Sequence, residues 1–138
     1  MQRDVPPPIG YFITDYESEI RSKCSFLEEK GMSYELVSSF EIRYVSDDLI
    51  LSIVFERYGE IIGINYCLPK ITGSEEYSVN WTLVEYKNGD LKKDYLSENM
   101  TKLEELNGYI QFFKDYQSLL LDDVFAKKTK EKYEQIGL

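Results

Sequence analysis

The chain has 138 residues, enough for one domain with a core of its own. A hydrophobic share of 43% with 30% charged residues excludes a disordered chain, and no apolar run is long enough to cross a membrane. The formal net charge of −9 disfavours nucleic acid and anionic membranes as partners, because phosphate contacts need clustered Lys and Arg, and favours a basic protein.

Histidine is absent, which removes the commonest general base and metal ligand. Cys24 and Cys67 lack a CxxC spacing and read as reduced, mostly buried thiols. No catalytic residue, metal site or cofactor is expected. The opening MQRDVPPPIGYF lacks the apolar run of a secretory signal, so a cytoplasmic protein is expected.

Residues 1–13 read as an extended arm, stiffened by Pro6-Pro7-Pro8. Residues 14–30 read as a helix. Thr14 and Glu17 have the spacing of a capping box, Tyr16, Ile20, Cys24 and Leu27 form its apolar stripe, and Gly31 supplies the stop. Residues 33–91 read as an antiparallel sheet. Tyr34, Leu36 and Ser38 share the parity of Phe40, Ile42 and Tyr44, so one long strand or a break at Ser38-Ser39 both fit.

The centre of the sheet is a three-stranded meander over 40–68. With Ser46-Asp47-Asp48-Leu49 as the first turn, Tyr44 faces Leu51, Ile42 faces Ile53 and Phe40 faces Phe55. With Tyr58-Gly59 centring the second, Arg57 lies opposite Glu60, Phe55 faces Ile62, Ile53 faces Ile64 and Leu51 faces Tyr66. Both pairings give one shared apolar face. The opposite face is mixed, with Glu41, Arg43, Ser52, Glu56 and Asn65 around Ile50 and Val54.

Pro69 ends the third strand of the meander, and 70–77 reads as a polar loop. Residues 78–87 read as a further strand, Val79, Trp81 and Leu83 on one side, with Trp81 in the core or at its edge. Asn88-Gly89-Asp90 is a turn signal, after which Leu91 could return a short strand. Residues 97–138 read as C-terminal helices. Thr101 and Glu104 repeat the capping-box spacing, and Leu103, Leu106, Ile110, Phe113 and Leu120 recur at helical intervals. Asn107-Gly108 is a candidate break, and Asp122-Asp123 a boundary. Lys127, Lys128, Lys130 and Lys132 read as the exposed face of a short solvated terminal helix. Strands grouped between helices predict an α+β fold: an N-terminal helix, an antiparallel sheet built on the meander plus at least one further strand, and C-terminal helices packed on one sheet face.

No phosphate-loop glycine pattern is present, and the adjacent carboxylates fall in turns, loops or helix surfaces. The 12 tyrosines stand out, since tyrosine suits protein interfaces. Tyr58, Tyr66, Tyr77 and Tyr86 lie near Glu56, Glu60, Glu75, Glu76 and Glu85 in sequence. The expected partner-binding residues are Glu56, Tyr58, Glu60, Glu75, Glu76 and Tyr77, with Asp47 and Asp48.

The meander FEIRYVSDDLILSIVFERYGEI, set between an amphipathic helix and terminal helices, resembles the small acidic bacterial immunity proteins that neutralise polymorphic or contact-dependent toxins. The resemblance implies a non-catalytic cytoplasmic monomer that occludes a cognate toxin domain, often a basic nuclease, by charge complementarity. It transfers no individual functional residue. An acidic secretion chaperone acting as a homodimer is the alternative from another class, although a loop stands at 70–77 where such chaperones place a helix.

Overall fold

In a computed structural model that describes residues 12–56, 61–86, 95–97 and 99–135, the chain enters the fold through one turn of 3-10 helix, Ile13–Tyr16. The Ile13 amide donates to the Ser39 carbonyl at 2.8 Å, and Phe12 lies against Phe40. This anchor replaces the expected capping box: Thr14 falls inside the turn, and neither it nor the next helix has a side-chain N-cap. The Glu17 carboxylate instead accepts from the Tyr34 hydroxyl, and the Arg21 guanidinium sits 4.0 Å over the same ring.

Helices α1 (Glu17–Lys23) and α2 (Ser25–Glu29) follow, separated at Cys24. The expected stripe is buried at Ile20, Cys24 and Leu27 and half-buried at Tyr16. Gly31 has φ +91°, its amide donates to Glu28 O, and the Met32 amide reaches back to Leu27 O. These two bonds form a Schellman stop, closed by buried Met32 and Leu27.

Five antiparallel strands then run in sequence order: β1 (Ser33–Ser38), β2 (Glu41–Val45), β3 (Ile50–Glu56), β4 (Ile61–Cys67) and β5 (Glu76–Ser78). The break at Ser38-Ser39 is the alternative realised. β1 turns back on β2, Tyr34 opposite Tyr44 and Leu36 opposite Ile42, with an irregularity before Ser38. In the meander, Val45 faces Ile50, Tyr44 faces Leu51 and Ile42 faces Ile53; across the next pair Ile53 faces Ile64, Phe55 faces Ile62 and Leu51 faces Tyr66. This is the register that alternation predicts. Its apolar face is closed to solvent at Ile42, Tyr44, Leu51, Ile53, Phe55, Ile62, Ile64 and Tyr66. The Ser46 hydroxyl accepts from the Leu49 amide and so closes the first turn. The second turn, with Tyr58, Gly59 and Glu60, lies outside the described residues.

Leu68 leads into a four-residue helix, α3 (Pro69–Thr72), inside what reads as loop. The strand expected over 78–87 is a correction. Only Glu76–Ser78 is strand, and Val79–Tyr86 is helix α4. The Ser78 hydroxyl accepts from the Trp81 amide at 3.1 Å, as an N-cap serine does, and the Thr82 hydroxyl donates to Ser78 O. Val79 and Leu83, four apart, then share one buried helical face. The Asn88-Gly89-Asp90 turn and the return through Leu91 lie outside the described residues.

Helix α5 (Lys102–Asp115) starts at a complete capping box between Thr101 and Glu104, with both reciprocal bonds formed. It continues unbroken through Asn107-Gly108. The glycine is there for clearance: a Cβ at 108 would lie 2.1 Å from the Tyr95 carbonyl oxygen. Leu106, Ile110, Phe112 and Phe113 are buried, and Phe113 meets Tyr66 edge-on. The one-turn helix α6 (Gln117–Leu120) and the terminal helix α7 (Asp123–Gln135) complete the layer. The Asp122 carboxylate accepts from the Val124 and Phe125 amides at the boundary between them. α7 is less solvated than expected, burying Ala126, Thr129 and Tyr133, while Lys127, Lys128 and Lys132 are exposed. The fold is therefore α+β, with its helices on the apolar face and one hydrophobic cluster running from Ile13 to Ala126. No described helix is long and apolar enough to cross a membrane.

Two substitutions test this architecture. Ile53→Asp should abolish cooperative thermal unfolding: truncation at such a site alone costs ~2–5 kcal/mol, and the carboxylate would be stranded in the core. An unchanged melting temperature would refute the register. Gly108→Ala should lower stability in urea titration, although alanine gains ~1 kcal/mol in helix propensity over glycine. A stabilised variant would mean that the Tyr95 backbone does not constrain α5.

Candidate functional site

Among the described residues, the helices leave part of the opposite face of β3, β4 and β5 accessible: Glu56, Ile61 and Glu76 are exposed there, while Ser52 and Cys67 are buried. Alternation places Glu56, Ile61, Gly63, Asn65, Ser78 and Glu76 on that face. The chain leaves the sheet after Ser78, and α4 then runs beside the uncovered stretch of β4. Asn80 closes that edge. Its side-chain carbonyl accepts from the Ile64 amide at 2.9 Å, and its side-chain N–H donates to the Ile62 carbonyl at 2.8 Å. One carboxamide thus supplies the donor and the acceptor that the next strand would have supplied. Trp81 is held nearby by stacking on Tyr133, with ring centroids 5.7 Å apart.

This arrangement encloses a cavity of ≈ 340 Å³. Glu56, Gly63, Asn65 and Glu76 line it from the sheet, Asn80 and Trp81 from α4, and Lys130 from α7. Gly63 forms part of the floor. A Cβ there would meet Glu56 Oε2 at 3.5 Å, an ordinary contact, so the absence of a side chain at 63 keeps space open without being forced by a clash. A second cavity of ≈ 460 Å³ lies beside the first and shares Glu76 with it, lined by Arg43, Ile50, Ser52, Cys67, Pro69 and Gly73.

Charge is unevenly satisfied across this surface. Lys130 pairs with Glu75 at 3.5 Å and sits 5.8 Å over the Tyr77 ring. Arg43 pairs with Glu41 at 2.9 Å and Glu35 at 3.8 Å. Glu56 and Glu76 form no ion pair among the described residues. The open face is left with unpaired negative charge beside an indole wall.

The expected binding residues separate. Glu56 and Glu76 come together in the first cavity. Glu75 is engaged by Lys130, which turns that lysine away from the exposed basic face expected of it. Tyr77 also borders the first cavity, but it pairs with Tyr66 across β4 and β5, so its side chain lies on the core face and is only 2% exposed. Tyr66 is buried for the same reason, and its ring lies 5.6 Å from that of Tyr77. Asp47 and Asp48 are exposed at the β2–β3 turn, where Asp48 pairs with Lys70 at 3.1 Å. Tyr58, Glu60 and the side chains of Glu85 and Tyr86 lie outside the described residues.

Both cysteines are free and buried. Burial pushes the Cys24 thiol up to about 12, and burial followed by the Glu76 charge raises that of Cys67. Among the described residues no three Cys, Asp or Glu side chains cluster as a metal site would need. Sequence reasoning missed Asn80, Trp81 and Gly63 as parts of a site. The available signal was Ser78 three residues before Trp81 and one before an apolar pair spaced by four, a helix start concealed by strand-like alternation.

No protein-family model, curated protein or solved structure matches the chain.

The edge bonds can be tested directly. Asn80→Ala should destabilise the protein by roughly 1–3 kcal/mol, because it strands a donor and an acceptor. It should also accelerate hydrogen exchange at the Ile64 amide more than at Ile53. Equal exchange at both would remove the edge-closing role.

Proposed function

We propose that this chain is a non-catalytic protein-binding module, an immunity protein that neutralises a cognate toxin domain by charge-complementary occlusion. The observation that supports it most is the open sheet face, where Glu56 and Glu76 stand unpaired around a cavity in a chain of net charge −9. Like charge left unpaired in this way contributes little to folding but attracts a basic surface and speeds its approach. The absence of histidine and the exposure of Asp47, Asp48, Glu56 and Glu76 favour binding over acid–base chemistry.

A homodimeric secretion chaperone is the second reading. It draws support from β1, an edge strand whose Leu36 and Val37 are 43% and 41% exposed. Light scattering separates the two, since the immunity reading expects a monomer and the chaperone reading a stable homodimer.

The primary test is co-expression with the product of the adjacent gene, followed by co-purification at low salt. A complex that inhibits the neighbour's toxicity is expected. Glu56→Lys with Glu76→Lys should leave the melting temperature within a few degrees and weaken the complex by at least about tenfold, mainly through association rate. No complex with a toxic neighbour would refute the reading, whereas an affinity and salt dependence unmoved by both reversals would move the binding surface away from Glu56 and Glu76.

A further inference from the structure

The open face carries two cavities, not one, and their chemistry differs. The first, ≈ 340 Å³, has two unpaired carboxylates, the Asn65 amide and an indole wall over the Gly63 floor. The second, ≈ 460 Å³, has Ile50 and Pro69 on its walls, and among the described residues its one cation, Arg43, is already held by Glu41. Glu76 borders both, so they are neighbouring compartments of one surface.

We propose that this surface binds an extended segment of a basic protein partner, with an arginine in the Glu56–Glu76 cavity and an apolar side chain, two residues away, in the Ile50–Cys67 cavity. The inference rests on the protein-binding reading above and names what that site recognises. Charge complementarity selects a cation, since Lys130 is balanced by Glu75 and the carboxylates facing the first cavity are unmatched. Arginine fits better than lysine. Its planar fork can donate to more than one carboxylate and to an amide carbonyl at once, and it stacks on an aromatic wall. An ammonium is a compact point charge that leaves such a cavity underfilled. Two adjacent compartments select a chain over a single small cation. In an extended segment, residues i and i+2 project to the same side roughly 7 Å apart, so one segment can present side chains to two cavities that meet at Glu76.

Trp81 is the only tryptophan in the chain and stands in the wall of the first cavity, so its emission reports occupancy. The probe is the capped peptide Gly-Arg-Gly-Leu-Gly, compared with the same peptide carrying citrulline for arginine or serine for leucine. The parent peptide should change Trp81 emission saturably and shift the Gly63, Asn65 and Cys67 amide resonances, with a Kd on the order of 1 mM. Citrulline has the same shape without the charge and should bind about tenfold more weakly. The serine peptide should keep the Gly63 shift and lose that of Cys67. Glu56→Gln with Glu76→Gln should abolish the preference for arginine over citrulline. Gly63→Ala, which meets no clash at its Cβ, should fold normally and narrow the first cavity, and Gly63→Leu, once its fold is confirmed by an unchanged melting temperature, should block it.

Equal binding of the arginine and citrulline peptides, or undiminished binding to folded Gly63→Leu, would overturn the proposal. The parent reading fails separately. A toxin complex that forms undiminished with Glu56→Gln and Glu76→Gln overturns the arginine anchor and leaves the immunity function standing. Arginine-specific peptide binding without any toxin complex supports the anchor and removes the immunity function.

Discussion

Everything in this fold depends on the side-by-side register of β2, β3 and β4. Ile53 sits opposite Ile42 on one side and Ile64 on the other, and all three are shut off from solvent. A strand exchanges faces with every one-residue slip, so such a slip would bring Arg43 or Asn65 onto the side that now carries the core. The pairing gives the helices one surface to cover. α5 covers it with Leu106, Ile110 and Phe113, and the N-terminal helices add Ile20, Cys24 and Leu27. The same alternation explains the tyrosines. Tyr44, Tyr66 and Tyr77 share the parity of the aliphatic residues and are therefore core residues, despite a polar tip that suits an interface.

The second constraint is what becomes of the sheet edges. An edge strand carries unpaired backbone groups that attract other strands. The two ends of this sheet are handled differently. At β4 the next strand lasts only three residues, and the Asn80 carboxamide stands in for its continuation. At β1 the irregularity near Val37 interrupts the regular ladder. The Asn80 arrangement also has a functional consequence. Because α4 leaves the plane of the sheet at Ser78, Trp81 rises beside the open face and creates a wall where continued strand would have left a flat surface.

Electrostatics then distinguishes this open face from the rest of the surface. The exposed pairs Arg21–Glu28 and Lys70–Asp48 are solvent-screened and contribute little to stability. Their importance here is that they occupy charges that would otherwise be available to a partner. Glu75 and Lys130 cancel locally, as do Arg43 and Glu41. Glu56 and Glu76, beside the cavities, are among the carboxylates left without such a partner among the described residues. Site and fold are consistent in one respect that matters: the sheet residues proposed to meet the partner lie on the face opposite the core, and α4 and α3 add Trp81 and Pro69 at its borders.

Some of this was legible in the sequence. Two turns and a strict alternation admit a single register for the meander, because only one pairing buries all the aliphatic residues together. The stop at Gly31 and the capping box at Thr101 were equally local, each needing only a few neighbouring residues. The α4 segment was not legible. Val79, Trp81 and Leu83 satisfy a period of two, while Val79 and Leu83 satisfy a spacing of four, so sequence alone supports strand and helix alike. The Asn80 bonds to β4 exist only between elements brought together by folding, and they favour the helix. Glu17 likewise read as the partner of a cap at Thr14, and its actual partner, the Tyr34 hydroxyl, is brought to it only by the packing of the first helices on β1. Gly108 looked like a helix break because its actual constraint, the Tyr95 carbonyl, lies in another segment of the chain. Sequence determined what can be settled within one strand pair or one helix end; tertiary structure decided wherever a residue's partner was far away in the chain.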